Sequence, residues 1–187
     1  MKLIRSKEKE NTMTAYTDVT AGDIEKGLVN VIIEIRKNER NKYEFDKETG
    51  RLFLDRVNGT TLGYPADYGY IPGTLCEDGD PLDALLLIDE SVPHGTVVPS
   101  RPIGVLYFED DGEMDEKLIV VPADDVSKDH IKDLADLGDN FKHVIEHFYS
   151  HYKDWKKNWT GVEGTLHGWG DAAAAIKVVH ESIKRAQ

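Results

Sequence analysis

The apolar positions of this chain change their period part-way along. Up to about residue 122 they come as short β-branched runs and alternations; beyond it they recur every three or four residues. Leu28 to Ile35, "LVNVIIEI", is a β-branched run that predicts a strand. "KYEFD" and "RLFLD" alternate on either side of "KETG", which predicts a hairpin with Gly50 in its turn. Ala84 to Ile88 is an apolar run suited to a buried strand, and "TVVPSRPIGVLYFE" and "KLIVVP" predict more strands around the acidic loop "DDGEMDE". Then Phe141, Val144, Ile145, Phe148, Tyr149, Tyr152 and Trp155 share one helical face, with Asp139 or Asn140 placed to cap it. A last helix is expected from about Asp171 to Arg185, with its alanines, Ile176, Val179 and Ile183 inward. Strands first and helices after predict an α+β fold: a barrel or curled sheet with helices packed outside.

With 187 residues the chain is long enough for one domain with a real core. Residues 1–20 read as a polar extension and 21–187 as a single domain, with no repeat or low-complexity linker between. No apolar run reaches the ~20 residues of a membrane span. The start, "MKLIRSKEKENTMTAY", is charged and lacks the apolar segment of a secretory signal, and Met13 offers an alternative start. Cys76 is the sole cysteine, which excludes an internal disulfide framework, fits a reducing cytoplasm, and reads as a small filler residue. The balance of 23 basic and 35 acidic residues gives −12, a surface that repels nucleic acid and anionic membranes. The same excess suits a protein that gathers divalent cations, although most acidic proteins are merely soluble.

The chemistry concentrates ahead of the Ala84 run, where Glu77, Asp78, Asp80 and Asp83 put four carboxylates within seven residues. Like charges that close must be solvated or neutralised. Asp78, Asp80 and Asp83 can converge on a loop that enters a strand, and oxygen-only donors favour Mg²⁺ or Mn²⁺ over Zn²⁺. A calcium EF-hand fits poorly, because Pro81 and Leu82 fall where that loop wants a ligand and its glycine. "DGDP" alone is ordinary turn chemistry, but a turn does not explain Asp83 at the strand entrance. Asp110, Asp111 and Asp115 form a second acidic loop, followed by Lys117. Taken alone this is a solvated hairpin tip; two such loops meeting at one mouth could hold several metals, a device for transferring phosphoryl groups to water.

A phosphate site also needs fixed cations. Lys42 and Arg56 supply them, with Glu34 and Glu44 on neighbouring strands and Glu44 on the same face as Lys42. A plain surface charge is the competing reading for each. "HYKDW" brings Tyr152 and Lys153, for which a core tyrosine and a solvated lysine compete closely. Tyr64, Tyr68 and Tyr70 crowd ahead of the aspartates, and core packing suits at least one of them. His147 and His151 stand four apart without a third ligand, which favours packing over metal.

Together these residues resemble the soluble family I inorganic pyrophosphatases of prokaryotic type. The signature is D-x-D-P-x-D, here "DGDPLD", accompanied in order by "KYEFDKETGRLFLDR", "YPADYGYIPGTL", "RPIGVL", Asp110 to Lys117 and "HYKDW". Each motif alone is weak to moderate; in this order they are specific, and the likeness runs from about Asn30 to the final helix. The resemblance implies a five-stranded OB-like β-barrel with flanking C-terminal helices, Mg²⁺-dependent hydrolysis of pyrophosphate, and a homohexamer. It implies metal ligation by Asp78, Asp83 and Asp115, with Asp110 joining Asp115 at a substrate-borne metal and Glu34 serving a further one. Asp80 would orient and deprotonate the attacking water. Lys42, Arg56, Tyr68, Lys117, Tyr152 and Lys153 would grip phosphate, with Glu44 and Asp111 in support. Two other readings stay open: a different Mg²⁺-dependent phosphohydrolase, and a non-catalytic OB-like module for single-stranded nucleic acid, which the acidic mouth disfavours.

Overall fold

The computed structural model describes residues 18–46, 49–157, 159 and 164–187. Nearly all of the expected polar extension, including Met13, lies outside the described residues. In chain order the elements are β1 (Val29–Ile35), β2 (Asn41–Phe45), β3 (Leu52–Val57), β4 (Asp67–Tyr70), β5 (Asp83–Leu86), β6 (Val97–Asp110), β7 (Glu113–Met114), β8 (Lys117–Pro122), α1 (Asp139–His151), β9 (Gly164–Gly170) and α2 (Ala172–Arg185). The class is α+β. β1 pairs with β4, β4 with β5, β5 with β8, β8 with β6, and β6 with β1 again, so five strands close on themselves. Only β5–β8 is parallel among these pairs. β7 and β9 extend the sheet from β6, while β2 and β3 form a separate two-stranded hairpin. Gly50 sits at φ 64° beside the hairpin turn, as the "KETG" pattern predicts.

Two cores lie on the two faces of the sheet. One is aromatic: Tyr64, Tyr68, Phe108, Phe148, Tyr149 and Tyr152 pack with Leu85, Ile103 and Ile119 beneath α1. The other is aliphatic: Val29, Val31, Ile33, Ala84, Leu86 and Val120 pack with Ala175, Val178 and Val179 of α2. β5 serves both by strict alternation, with Leu85 in the first and Ala84 and Leu86 in the second. β1 changes sides. Its register against β4 slips between Ile33 and Ile35, a bulge that leaves Ile33 in the aliphatic core and turns Ile35 into the aromatic one.

Several expectations need correction. α1 is capped by Gly138, not by the side chain of Asp139 or Asn140, both of which lie inside the first turn. Asp139 there acts by charge on the exposed N–H groups. The helix ends at His151, so Tyr152 is its C-cap and Trp155 falls in a short 3-10 turn, Asp154–Lys157. Val144 is 47% exposed, because the buried stripe is narrower than the periodicity implies. In α2 the buried positions are Ala175, Val178, Val179 and Ser182, with Ile176 only half-buried. Its N-cap is Asp171, whose carboxylate accepts from the Ala174 N–H at 2.8 Å. β5 stops at Leu86, short of Ile88. β4 and β9 carry weak strand signals, since "DYGY" is brief and "GTLHGWG" holds three glycines.

Candidate active site

Apart from Glu77 and Asp111, the acidic and basic side chains singled out in the sequence converge on one cavity of about 210 Å³. Its floor is set by strand register. Asp83 opens β5 opposite Lys117 on parallel β8 and opposite Tyr70 on β4. The Lys117 ammonium lies between two carboxylates and donates to both Asp83 Oδ2 and Asp115 Oδ1. The Tyr68 hydroxyl, reached from β4, donates to the same Asp83 oxygen. Burial pulls the Lys117 pKa down, but Asp115 and Asp83 push it further up, so the lysine stays charged above its ordinary range. Asp115 has its pKa raised by burial, against the pull of Lys117.

The loop before β5 forms a further wall. The Asp80 N–H donates to Asp78 Oδ1 at 3.0 Å, and the Asp80 carbonyl accepts from the Cys76 N–H at 2.7 Å. Asp80 itself is exposed at the loop's tip. Burial raises the Asp78 carboxyl above the usual range. Cys76 lies beneath as a buried filler, its thiol pushed up to about 12 by burial.

Glu34 lies at the β1 bulge and lines the cavity from that strand. It is 7% exposed and accepts from the Phe45 N–H at 2.8 Å. Burial raises it to about 8, with Asp83 and Glu44 adding to the shift. The hairpin supplies the opposite rim. Lys42 and Arg56 are direct cross-strand partners, although like charges facing each other on a sheet destabilise it. Asp55, the extra residue at the register slip beside them, lies 3.7 Å from Lys42 and 3.0 Å from Arg56. Glu44 also pairs with Lys42.

α1 closes the cavity from the aromatic side. Lys153, just past its end, is 6% exposed rather than solvated, and its ammonium pairs with Asp110 Oδ2. Tyr152 lies beside it, held protonated by burial and by Asp110. Asp111 does not line the cavity; it is exposed on the β6–β7 turn at φ 52°. His147 and His151 lie outside it too, their rings 4.7 Å apart and His151 bonded to Asp154 at 3.0 Å. Five lining residues carry no site role in the sequence reading: Phe45, Tyr64, Tyr70, Pro81 and Tyr149. Tyr64 and Tyr70 have a signal in their crowding ahead of the aspartates, and Tyr149 in its place three positions before Tyr152 on the same helical face.

Among the described residues, no three carboxylate, imidazole or thiol groups already form a metal-gripping cluster. The lysines explain this, since Lys117 and Lys153 occupy the carboxylates that face inward. The donors nonetheless fit a hard cation. They are all oxygens, they come from three separate segments, and Asp110 Oδ1 is buried without a hydrogen-bond partner among the described residues.

Carboxylates facing fixed cations across a small cavity are the donor set that suits hard cations and a compact polyanion, as in metal-dependent phosphate hydrolases. A family profile described as inorganic pyrophosphatase matches residues 31–187. The chain belongs to that family. It is 51% identical to an inorganic pyrophosphatase of Corynebacterium glutamicum over 157 residues, covering 84% of this chain and 97% of that one. Identity to the Rickettsia prowazekii protein of the same name is 48%, over 84% and 91%. A solved structure of inorganic pyrophosphatase from Thermus thermophilus superposes with a TM-score of 0.85 at 38% identity, covering 92% of this chain and 98% of that one.

Proposed function

We propose that this cavity is where the chain carries out its family's reaction, hydrolysis of inorganic pyrophosphate to two orthophosphates. The observation that carries the assignment is the convergence of both acidic loops opposite the facing Lys42–Arg56 pair. The cavity is smaller than the roughly 300–1,000 Å³ usual for drug-sized ligands, which favours pyrophosphate over nucleotides.

Asp78, Asp83, Asp110, Asp115 and Glu34 would hold divalent cations, Mg²⁺ by donor hardness, with Mn²⁺ also compatible. Bound there, Mg²⁺ would neutralise phosphate charge and acidify water. Glu34, protonated near neutral pH by its burial, must release its proton to become a ligand. Lys117 and Lys153 hold the inward carboxylates in the free protein; in the loaded one their ammonium groups turn to phosphate oxygens. Tyr68 and Tyr152 stay protonated and donate hydroxyls. Lys42 and Arg56 take the outer phosphate, with Glu44 orienting Lys42. Asp80, on the exposed tip, takes the proton of the attacking water as its oxygen bonds to phosphorus and the P–O–P bridge breaks. Asp111 supports the loop from outside. We further infer that the closed five-strand ring is an OB-like barrel within a single domain, 21–187. By family resemblance the chain would act in the cytoplasm as a homohexamer, binding neither nucleic acid nor membrane. No helix among the described residues is long and apolar enough to cross a membrane.

A phosphate-release assay on pyrophosphate with Mg²⁺ tests this reading. Asp80→Asn and Asp83→Asn are each expected to cut turnover by about 100-fold or more while the fold survives. Wild-type turnover in either variant would remove that residue's role. Absence of hydrolysis by the wild type at every Mg²⁺ concentration would remove the function.

A further inference from the structure

Arg56 is the last residue but one of β3, and the end of a hairpin strand is a poor place to aim a long side chain. Its guanidinium is nevertheless fixed on two sides. Nη1 donates to Asp55 Oδ2 at 3.0 Å, and Nε donates to Asn58 Oδ1 at 3.0 Å. The two contacts differ in kind. Asp55 is about one-third exposed, so its hold is loosened by solvent. Asn58 is 2% exposed, so its hold is made in a low-dielectric setting where hydrogen bonds are stronger.

The segment carrying Asn58 is itself held firmly. A Cβ on Gly59 would lie 3.1 Å from the Trp155 ring, so this backbone packs directly against the indole. The Thr60 carbonyl accepts from Arg40 Nη1 at 3.1 Å, and the Thr60 hydroxyl accepts from the Leu62 N–H at 3.2 Å. Trp155 follows Lys153 by two residues. One shelf therefore joins the two cation-bearing segments of the cavity, Arg56 on one side and Lys153 on the other.

Asn58 is an expensive choice for stability alone. Its Nδ2 is buried with no hydrogen-bond partner among the described residues, a loss that an apolar residue would avoid. What the amide does provide is an acceptor for Nε. With Nε and one Nη1 donor engaged, the remaining donors of the five are left for an anion in the cavity.

We propose that Asn58 is a positioning residue for the reaction, holding the Arg56 guanidinium where its remaining donors meet a phosphate of bound pyrophosphate. This rests on the assignment of Arg56 to substrate binding. A double-mutant cycle separates the two ideas: wild type, Asn58→Ala, Arg56→Ala and the double variant, each measured for kcat and KM with pyrophosphate at saturating Mg²⁺, and each melted without substrate. Asn58→Ala is expected to raise KM about tenfold with a smaller change in kcat, as loss of a hydrogen bond to a charged group implies. In the Arg56→Ala background the same change is expected to leave KM within about twofold. Undiminished loss in that background would overturn the proposal, because Asn58 would then act on something else. So would a wild-type KM for Asn58→Ala. A wild-type KM for Arg56→Ala would overturn the Arg56 assignment and this proposal with it. Should Asn58→Ala melt too low to assay, Asn58→Ser carries the same cycle, since it leaves a smaller void but still withdraws the amide oxygen.

Discussion

The two faces of the closed sheet are built from different residues, and the difference separates function from support. Beneath α1 the core is aromatic, and its rings carry hydroxyls: Tyr64, Tyr68, Tyr149 and Tyr152 all reach the cavity wall. Beneath α2 it is aliphatic, and neither α2 nor the strand residues facing it touch the cavity. An aliphatic side chain can only fill space. A tyrosine fills space and offers a donor at its far end. The same packing that excludes water on the α1 side therefore delivers hydrogen-bonding groups to the site. Burial also keeps those phenols protonated, with pKa values pushed well above the ordinary range.

The largest test of this contrast is on the α1 side. Lys153→Ala is expected to lower kcat/KM about 10- to 100-fold, the scale of a hydrogen bond to a charged group. Far-UV circular dichroism should show undiminished helix, because Lys153 lies beyond the end of α1. If the variant instead unfolds at wild-type kcat/KM per folded molecule, Lys153 is a packing residue and the contrast weakens.

The second test is at the bulge where β1 passes from one core to the other. Glu34 has its pKa raised from 4.5 to about 8 by burial, so the folded protein holds a proton there that the unfolded chain has lost. Between those two values the native state binds more protons than the unfolded one, and stability falls as pH rises. With metal removed by EDTA, wild type should lose several degrees of melting temperature from pH 5 to pH 8 through this group. Glu34→Gln, which cannot ionise, should show a shallower slope. Parallel slopes would mean that Glu34 is solvated or paired with a cation in solution.

The smallest effect belongs to the α2 side. Val179 is fully buried in the aliphatic core. Val179→Ala should cost about 2 kcal/mol from lost burial and the cavity left behind. That is about 4–8 °C of melting temperature for a chain of this size. The kcat/KM at 25 °C should not move. A variant that keeps its stability but loses activity would show that α2 couples to the site.

Much of the fold and of the site is legible in the chain itself. The period change at about residue 122 marks the α+β order, because alternation and β-branching report strands locally. The acids of the first loop are legible because Asp83 at the strand entrance has no use in a plain turn, and those of the second because another acidic loop from the same sheet can meet it at one mouth. β4 and β9 are not legible, since both are short or glycine-rich and owe their strand form to neighbours. The ends of α1 are hidden for a similar reason, as the helical period continues through residues that leave the helix. Asn58 has no sequence signal, because a lone asparagine after a strand looks like any turn residue.

By itself, then, the sequence determined which residues carry charge, which runs become strands or helices, and that the acids offer oxygen donors suited to a hard cation. Those properties depend on local spacing and on the chemistry of single side chains. Only the tertiary structure decided that Lys117 faces Asp83 across a parallel pair, that Glu34 at a bulge lines the cavity, that Lys153 is buried, and that Asn58 reaches Arg56. Register, bulges and packing are set by contacts between segments far apart in the chain, and no local pattern encodes them.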